Sequence, residues 1–170
     1  MSLKDLPFGS LEKFNVIIEI AQGSQDKYEY DEELDVLKLD RVLHTSQAYP
    51  TNYGFIPETR AEDGDHADVL LFSTNPIIPG AVVEARAVGL MKMIDSDEPD
   101  HKVIAVPTED PRFKHVESMD QLTPHFQKEV KHFFETMKAL QNKVITIEGF
   151  EDKAAAESFI LETRDAYSKE

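Results

Sequence analysis

The chain has 170 residues, of which 41% are hydrophobic and 30% charged, a balance that excludes disordered and collagen-like classes and predicts a single domain over residues 1–170. Its 33 Asp and Glu against 18 Lys and Arg leave a net charge of −15, a field that repels a phosphate backbone and excludes general nucleic-acid binding. There is no cysteine, so disulfides, thiolate metal sites and cysteine nucleophiles are excluded; residues 1–14 carry no apolar leader and no run approaches the ~20 apolar residues of a membrane span, so a cytoplasmic protein without a membrane partner is expected.

Phe14, Val16, Ile18 and Ile20 alternate with Asn15 and Glu19, the period of a half-buried strand with Glu19 on the face opposite the apolar four. Residues 27–31 alternate again, Lys27 and Glu29 on one face and Tyr28 and Tyr30 on the other, and residues 34–39 follow after a short acidic turn. A hairpin is predicted. Further strands are expected at 53–56, 68–72, 82–93 and 102–106, bounded by Pro57, Pro76, Pro79-Gly80 and Pro107.

The period then changes. From 123 to 140 the apolar residues Phe126, Val130, Phe133, Phe134, Met137 and Leu140 recur at spacings of three and four, with Thr123 as N-cap and Pro124 at the first helical position. Residues 143–150 return to strand, and 152–167 predict a terminal helix with Ala155, Phe159, Thr163 and Ala166 inward. Strands first and helices afterwards predict an α+β fold, a small barrel flanked by helices.

The sharpest chemical feature is Asp63-Gly64-Asp65-His66-Ala67-Asp68, three carboxylates within six residues before an apolar strand. Like charges this close disfavour one another's ionisation, whereas a bound cation turns the crowding into ligation. The competing reading is an Asp-Gly turn in water. An EF-hand is excluded, because Asp68 stands where that loop needs Gly and Thr74 where it needs Glu. A second acidic loop, residues 95–100, falls at a strand connection, where Asp97 and Glu98 singly read as a solvated turn. Carboxylates from two strand ends sharing several Mg²⁺ ions point towards phosphate chemistry. Lys27, Arg41, Tyr49, Tyr53, Lys102 and Lys138 are candidate phosphate contacts, each of which taken singly reads as an ion pair or a core aromatic. The six histidines lack metal-ligand spacing, and no P-loop, dinucleotide fingerprint or Gly-x-Ser-x-Gly elbow is present.

The order of these pieces resembles the soluble, Mg²⁺-dependent inorganic pyrophosphatases in their bacterial form. The matching segments run from Glu19, Lys27-Tyr28-Glu29 and Asp40-Arg41 through Tyr49-Pro50-Thr51-Asn52-Tyr53-Gly54 and Asp63-Gly64-Asp65, then Asp68, Lys92-Met93-Ile94-Asp95, Asp100-His101-Lys102, His132-Phe133-Phe134-Glu135 and Glu148-Gly149. The resemblance implies a five-stranded OB-like barrel with flanking helices, hydrolysing pyrophosphate to two orthophosphates with several Mg²⁺ ions and associating as a trimer or hexamer. It implies Asp63, Asp68, Asp95 and Asp100 as metal ligands and Asp65 as base for the attacking water. Lys27, Arg41, Tyr53 and Lys102 would hold phosphates, Lys138 would support them, and Glu19, Glu29 and Tyr49 would complete the site.

Two rivals are a divergent paralogue acting slowly or on another phosphoanhydride or phosphate ester, and a silent metal-binding or interaction protein on the same fold; the full set of aspartates disfavours the latter. At two places the chain departs from the family's pattern. His66 and Ala67 stand where the family has Pro and a large apolar residue, which predicts a looser loop with weaker metal binding, or alternatively His66 as a nitrogen ligand. Met137 stands where the family presents a phosphate-binding Tyr, which predicts the loss of one hydroxyl donor.

Overall fold

The strand β1 (Phe14–Ile20) sets the frame, because nearly every residue in it is buried. The computed structural model describes residues 2–169. The hairpin β2 (Asp26–Asp31) and β3 (Val36–Val42) follows, then β4 (Asn52–Ile56), β5 (Ala67–Leu71), β6 (Val82–Asp95), the two-residue β7 (Glu98–Pro99), β8 (Lys102–Pro107), helix α1 (Pro124–Met137), β9 (Ile145–Glu151) and helix α2 (Lys153–Tyr167). β1 pairs with β4, β4 with β5, β5 with β8, β8 with β6, and β6 back with β1. The ring closes on itself: this is the expected five-stranded barrel, and closure leaves these strands no open edge. The β5–β8 pair is parallel and the others antiparallel. At 14 residues, β6 is long enough to hold β1 at its start, β8 in its middle, and β7 and β9 beyond.

Alternate residues of one strand feed two apolar clusters. Leu70 faces a cluster with Ile104, Val106 and the α1 residues Phe126, Val130 and Phe133. Val69 and Leu71 face the other, with Phe14, Val16, Ile18 and the α2 residues Ala156 and Ile160. Strands buried on both faces read as continuous apolar runs, as in 69–71 and 103–106.

Four expectations are corrected. β1 is not half-buried: Ile17 and Glu19 are buried beside the apolar four, because β2 crosses that face and the Tyr30 N–H donates to Glu19 Oε1 at 2.8 Å. α1 stops at Met137 rather than 140, and a short 3₁₀ turn at Ala139–Gln141 ends in Asn142 at φ 55°. Leu140 is therefore carried off the apolar stripe and lies 71% exposed. In α2 the buried stripe is Ala156, Ile160 and Thr163, with Ala155 and Phe159 only partly buried and Ala166 exposed. The helix begins one residue late because Asp152 is its cap, accepting the Ala155 N–H at 3.0 Å.

Gly54 marks the tightest backbone crossing. A Cβ there would lie 2.0 Å from the Ile17 carbonyl oxygen, an atom fixed in the β1–β4 pair. Gly54→Ala should cost about 3 kcal/mol or more, since backbone on both sides must shift; a urea midpoint equal to that of the parent would refute this packing argument.

Candidate active site

The barrel's pairing gathers the charged residues at one end. β5 and β8 run parallel with Asp68 opposite Lys102, and β6, antiparallel to β8, brings Asp95 to the same end. A cavity of about 460 Å³ opens there, lined by Asp63, Asp65, Asp68, Asp95 and Asp100, by Lys27, Lys102 and Lys138, and by Glu19, Glu29, Tyr49 and Tyr53. Of the candidate metal, phosphate and supporting residues, Arg41 alone lies outside this lining. It sits beside it on the hairpin, in register with Lys27, its Nε donating to Asp40 Oδ2 at 2.5 Å.

Lys102 is the centre of this wall. Its Nζ bonds Asp68 Oδ2 at 2.5 Å and Asp100 Oδ1, lies 5.7 Å from the Tyr53 ring centre, and is only 2% exposed. Burial alone would lower its pKa, but Asp68 and Asp100 outweigh burial and hold the ammonium above its ordinary range. Lys138, just past α1, bonds Asp95 Oδ2, and this contact overrides burial to hold Asp95 below the usual carboxylate range. Lys27 bonds Glu29 across the face they share and stands 3.8 Å from Asp40.

The first acidic loop is a tight turn. The Ala61 N–H donates to the Asp65 carbonyl at 2.7 Å, Asp63 Oδ1 accepts the Asp65 N–H at 3.0 Å, and Gly64 takes φ +90°. Burial, reinforced by Asp63 and Asp68, raises the Asp65 carboxyl above its usual range. In the second loop, Ser96 and Asp97 both have positive φ, which makes the β6–β7 connection a two-residue hairpin turn. Asp97 and Glu98 are exposed, as a solvated turn requires. Burial first, then Asp68, keeps the Tyr49 phenol protonated, and burial with Asp68 and Asp100 does the same for Tyr53.

Among the described residues no three acidic or histidine side chains already form a tight ion cage. Asp68, Asp95 and Asp100 each commit an oxygen to a lysine, while Asp63 and Asp65 are joined to the same wall. A donor set made of carboxylate oxygens and free of sulfur fits a hard divalent cation. His66 is held by contacts within the protein. Its Nδ1 lies 2.8 Å from the Thr59 carbonyl oxygen and its Nε2 2.8 Å from Glu32 Oε1, and its ring stacks on Phe55 at 4.8 Å. Both nitrogens face protein oxygens, which ties this loop to the Thr59 carbonyl and to Glu32. Ala67 is fully buried, its N–H donating to Thr59 Oγ1. Met137 lines the cavity beside Lys138, as expected of its place, and also packs in the apolar cluster under α1.

Sequence reasoning missed Arg60 and Glu32, which also line the cavity. Arg60 Nη1 donates to Glu32 Oε1 at 3.1 Å and to the Gly64 carbonyl at 3.0 Å. Neither residue lies in a periodic pattern or a spaced motif, and only the folding of the hairpin onto the loop brings them together.

Glu19 generates a pH prediction. Burial first, then the Asp68 charge, pushes its carboxyl from 4.5 up to about 8, against the opposing Tyr30 N–H and Lys27. The raised value means that the folded state holds this proton more tightly than the unfolded chain, so metal-free stability falls as pH rises from about 4.5 through about 8. Glu19→Gln keeps the acceptor for Tyr30 and removes the penalty. In chelator it should exceed the parent by on the order of a few kcal/mol at pH 8–9 and converge with it near pH 4–5. Parallel stability profiles for the two proteins would contradict the assignment.

With this geometry in view, the comparisons agree. The family model described as inorganic pyrophosphatase matches residues 16–168. The inorganic pyrophosphatase of Halalkalibacterium halodurans is 51% identical over 145 residues, covering 85% of this chain and 89% of that protein. A soluble inorganic pyrophosphatase of Zea mays is 44% identical over 156 residues, 92% of this chain and 73% of its own length. The crystal structure of the Thermus thermophilus inorganic pyrophosphatase matches with a TM-score of 0.95 at 44% identity, covering 99% of both chains. That from Helicobacter pylori matches at 0.93 and 40% identity, covering 96% of this chain and 99% of that one. A match of this extent in sequence and in fold, over the segments that build the cavity wall, means that the chain belongs to the inorganic pyrophosphatase family.

Proposed function

We propose that the chain hydrolyses inorganic pyrophosphate to two orthophosphates in the cavity at the barrel's end, with several Mg²⁺ ions held by Asp63, Asp68, Asp95 and Asp100. The observation that carries this reading is the meeting of five aspartates from two separate loops with three lysines on one wall. When bound, the ions lower the pKa of water and neutralise the phosphate charge. Asp65 takes the proton of the attacking water at its carboxylate, and its raised pKa suits that role. The water oxygen bonds to one phosphorus as the bridging P–O bond breaks, and the second phosphate leaves with that electron pair.

Lys27, Arg41, Tyr53 and Lys102 hold the phosphates, with Lys138 behind them, and preorganised donors of this kind supply much of the rate. The buried phenol of Tyr53 stays a neutral donor, supported by Tyr49 packed edge-on at 5.6 Å. Glu19 and Glu29 complete the wall, Glu29 by fixing Lys27. Self-association as a trimer or hexamer belongs to the same reading; Leu39 at 52% and Ile78 at 75% are among the apolar side chains this single chain leaves exposed.

Phosphate release from pyrophosphate, triphosphate, ATP and a monoester, with and without Mg²⁺, tests the whole reading: only pyrophosphate with Mg²⁺ should turn over fast. Asp65→Asn should keep Mg²⁺ binding and lose about 10²–10⁴-fold in hydrolysis; unchanged turnover removes Asp65 from the mechanism. Met137→Tyr should raise kcat/KM for pyrophosphate roughly tenfold by restoring a charge-assisted bond of about 1.5–3 kcal/mol. A well-folded variant that is no faster shows that the missing hydroxyl does not limit the enzyme.

A further inference from the structure

The β2–β3 hairpin carries Lys27, Glu29 and Arg41, yet it pairs with no barrel strand and forms a two-stranded sheet of its own. An isolated two-stranded ribbon is marginal in water, so its position depends on what fastens it. At its root the Leu43 N–H donates to the Gln25 carbonyl at 2.8 Å, which closes the ribbon, and midway the Tyr30 N–H donates to Glu19. Beyond Tyr30 the hairpin is fastened at two places: the Leu3 N–H donates to Asp35 Oδ1 at 3.0 Å, and Glu32 meets the acidic loop. Glu32 Oε1 faces both His66 Nε2 at 2.8 Å and Arg60 Nη1 at 3.1 Å. The Tyr30, Phe55 and His66 rings stack in sequence at 5.3 and 4.8 Å, tying hairpin, barrel and loop into one column.

Both partners of Glu32 are anchored in turn. His66 Nδ1 meets the Thr59 carbonyl and Arg60 the Gly64 carbonyl, so Glu32 closes onto a preset cradle. A single exposed ion pair contributes little, but one carboxylate shared by two held donors loses less side-chain freedom for each bond.

We propose that His66 and Arg60 are positioning residues which, by gripping Glu32, hold the hairpin against the acidic loop and thereby set where Lys27 stands over the substrate. This rests on the reading of Lys27 as a phosphate contact. Glu32 is five residues beyond Lys27 on the same arm of the hairpin, with the Tyr30 bond to Glu19 between them. Releasing Glu32 leaves that bond, the ring stack and the Leu3–Asp35 contact to hold the arm, and a displacement of even about 1 Å at Lys27 is large enough to matter to a charge aimed at phosphate. The position at which the family has Pro is here given to a side chain that binds across to the hairpin.

Glu32 borders the cavity but is none of the residues assigned to metal or phosphate, so it is the place to test. Glu32→Ala should raise KM for pyrophosphate about tenfold with kcat within about twofold, and Glu32→Gln, which keeps an acceptor, should stay within about threefold of the parent. His66→Leu added to Glu32→Ala should raise KM no further, because both act through one contact. Amide hydrogen exchange at residues 27–31 should quicken in Glu32→Ala, while the Mg²⁺ concentration for half activity should not move. An unchanged KM in folded Glu32→Ala, a loss in kcat alone, or a Mg²⁺ requirement shifted by the same factor as KM would overturn the proposal. If the parent protein releases no phosphate from pyrophosphate, the functional reading fails instead, and the exchange measurement alone then decides: unchanged exchange overturns the clamp, faster exchange upholds it.

Discussion

The ammonium of Lys102, enclosed between Asp68 and Asp100, is the interaction on which the rest of the site depends. A charge this deeply buried is strongly unfavourable unless it is paired. Pairing requires Asp68 and Lys102 to start adjacent strands at the same level, and the parallel β5–β8 register does that. Slipping either strand by one residue would turn the apolar runs 69–71 and 103–106 to their opposite faces, so core packing and charge pairing enforce the same alignment. The barrel is thus both the scaffold of the site and the reason that its central cation is held in place.

The same end of the barrel stores unfavourable electrostatics. Glu19 and Asp65 both hold their protons more tightly than free carboxyls do, and in both burial is the first cause and neighbouring aspartates the second. Lys102 and Lys138 neutralise Asp68, Asp100 and Asp95, but they cannot reach every carboxylate on the wall. Local conflict of this kind is expected where function rather than folding has chosen the residues. A divalent cation meeting these oxygens relieves repulsion already built into the fold, which is the physical sense in which the site fits metal.

Much of this was legible in the sequence because it rests on period and punctuation. The barrel strands left apolar runs, several of them bounded by Pro or Gly as at Pro57, Pro79-Gly80 and Pro107, and α1 left a stripe with Thr123-Pro124 at its head. The acidic loops were legible as charge density at strand ends. The depth of β1 was not, since the cover over Glu19 comes from a hairpin whose docking no local pattern encodes. The face of α2 was misplaced by one residue at Ala155 and Phe159, though not at Thr163, because apolar residues run consecutively at 154–156 and 159–161, and only the contact with the second apolar cluster decides which of them turn inward. The contacts of His66 were not legible for a related reason. Comparison with a Pro at the same place weighs backbone freedom alone, whereas the ring finds a stacking partner and two polar partners distant in sequence.

Met137 shows how two readings of one residue can both hold. It sits in the last turn of α1 and is 4% exposed, packed in the cluster with Phe133 and Phe134, yet it borders the cavity beside Lys138. A thioether fills that place without strain, so the departure from Tyr leaves packing intact and removes only a donor. His66 borders the same cavity, and its ring reaches outward to the Thr59 carbonyl and to Glu32 on the hairpin that carries Lys27. Met137 thus acts on the cavity through packing beneath Lys138, whereas His66 acts on it through polar contacts with a neighbouring element. The same lining combines side chains set by the apolar core with side chains set by hydrogen bonds, and both kinds border the five aspartates.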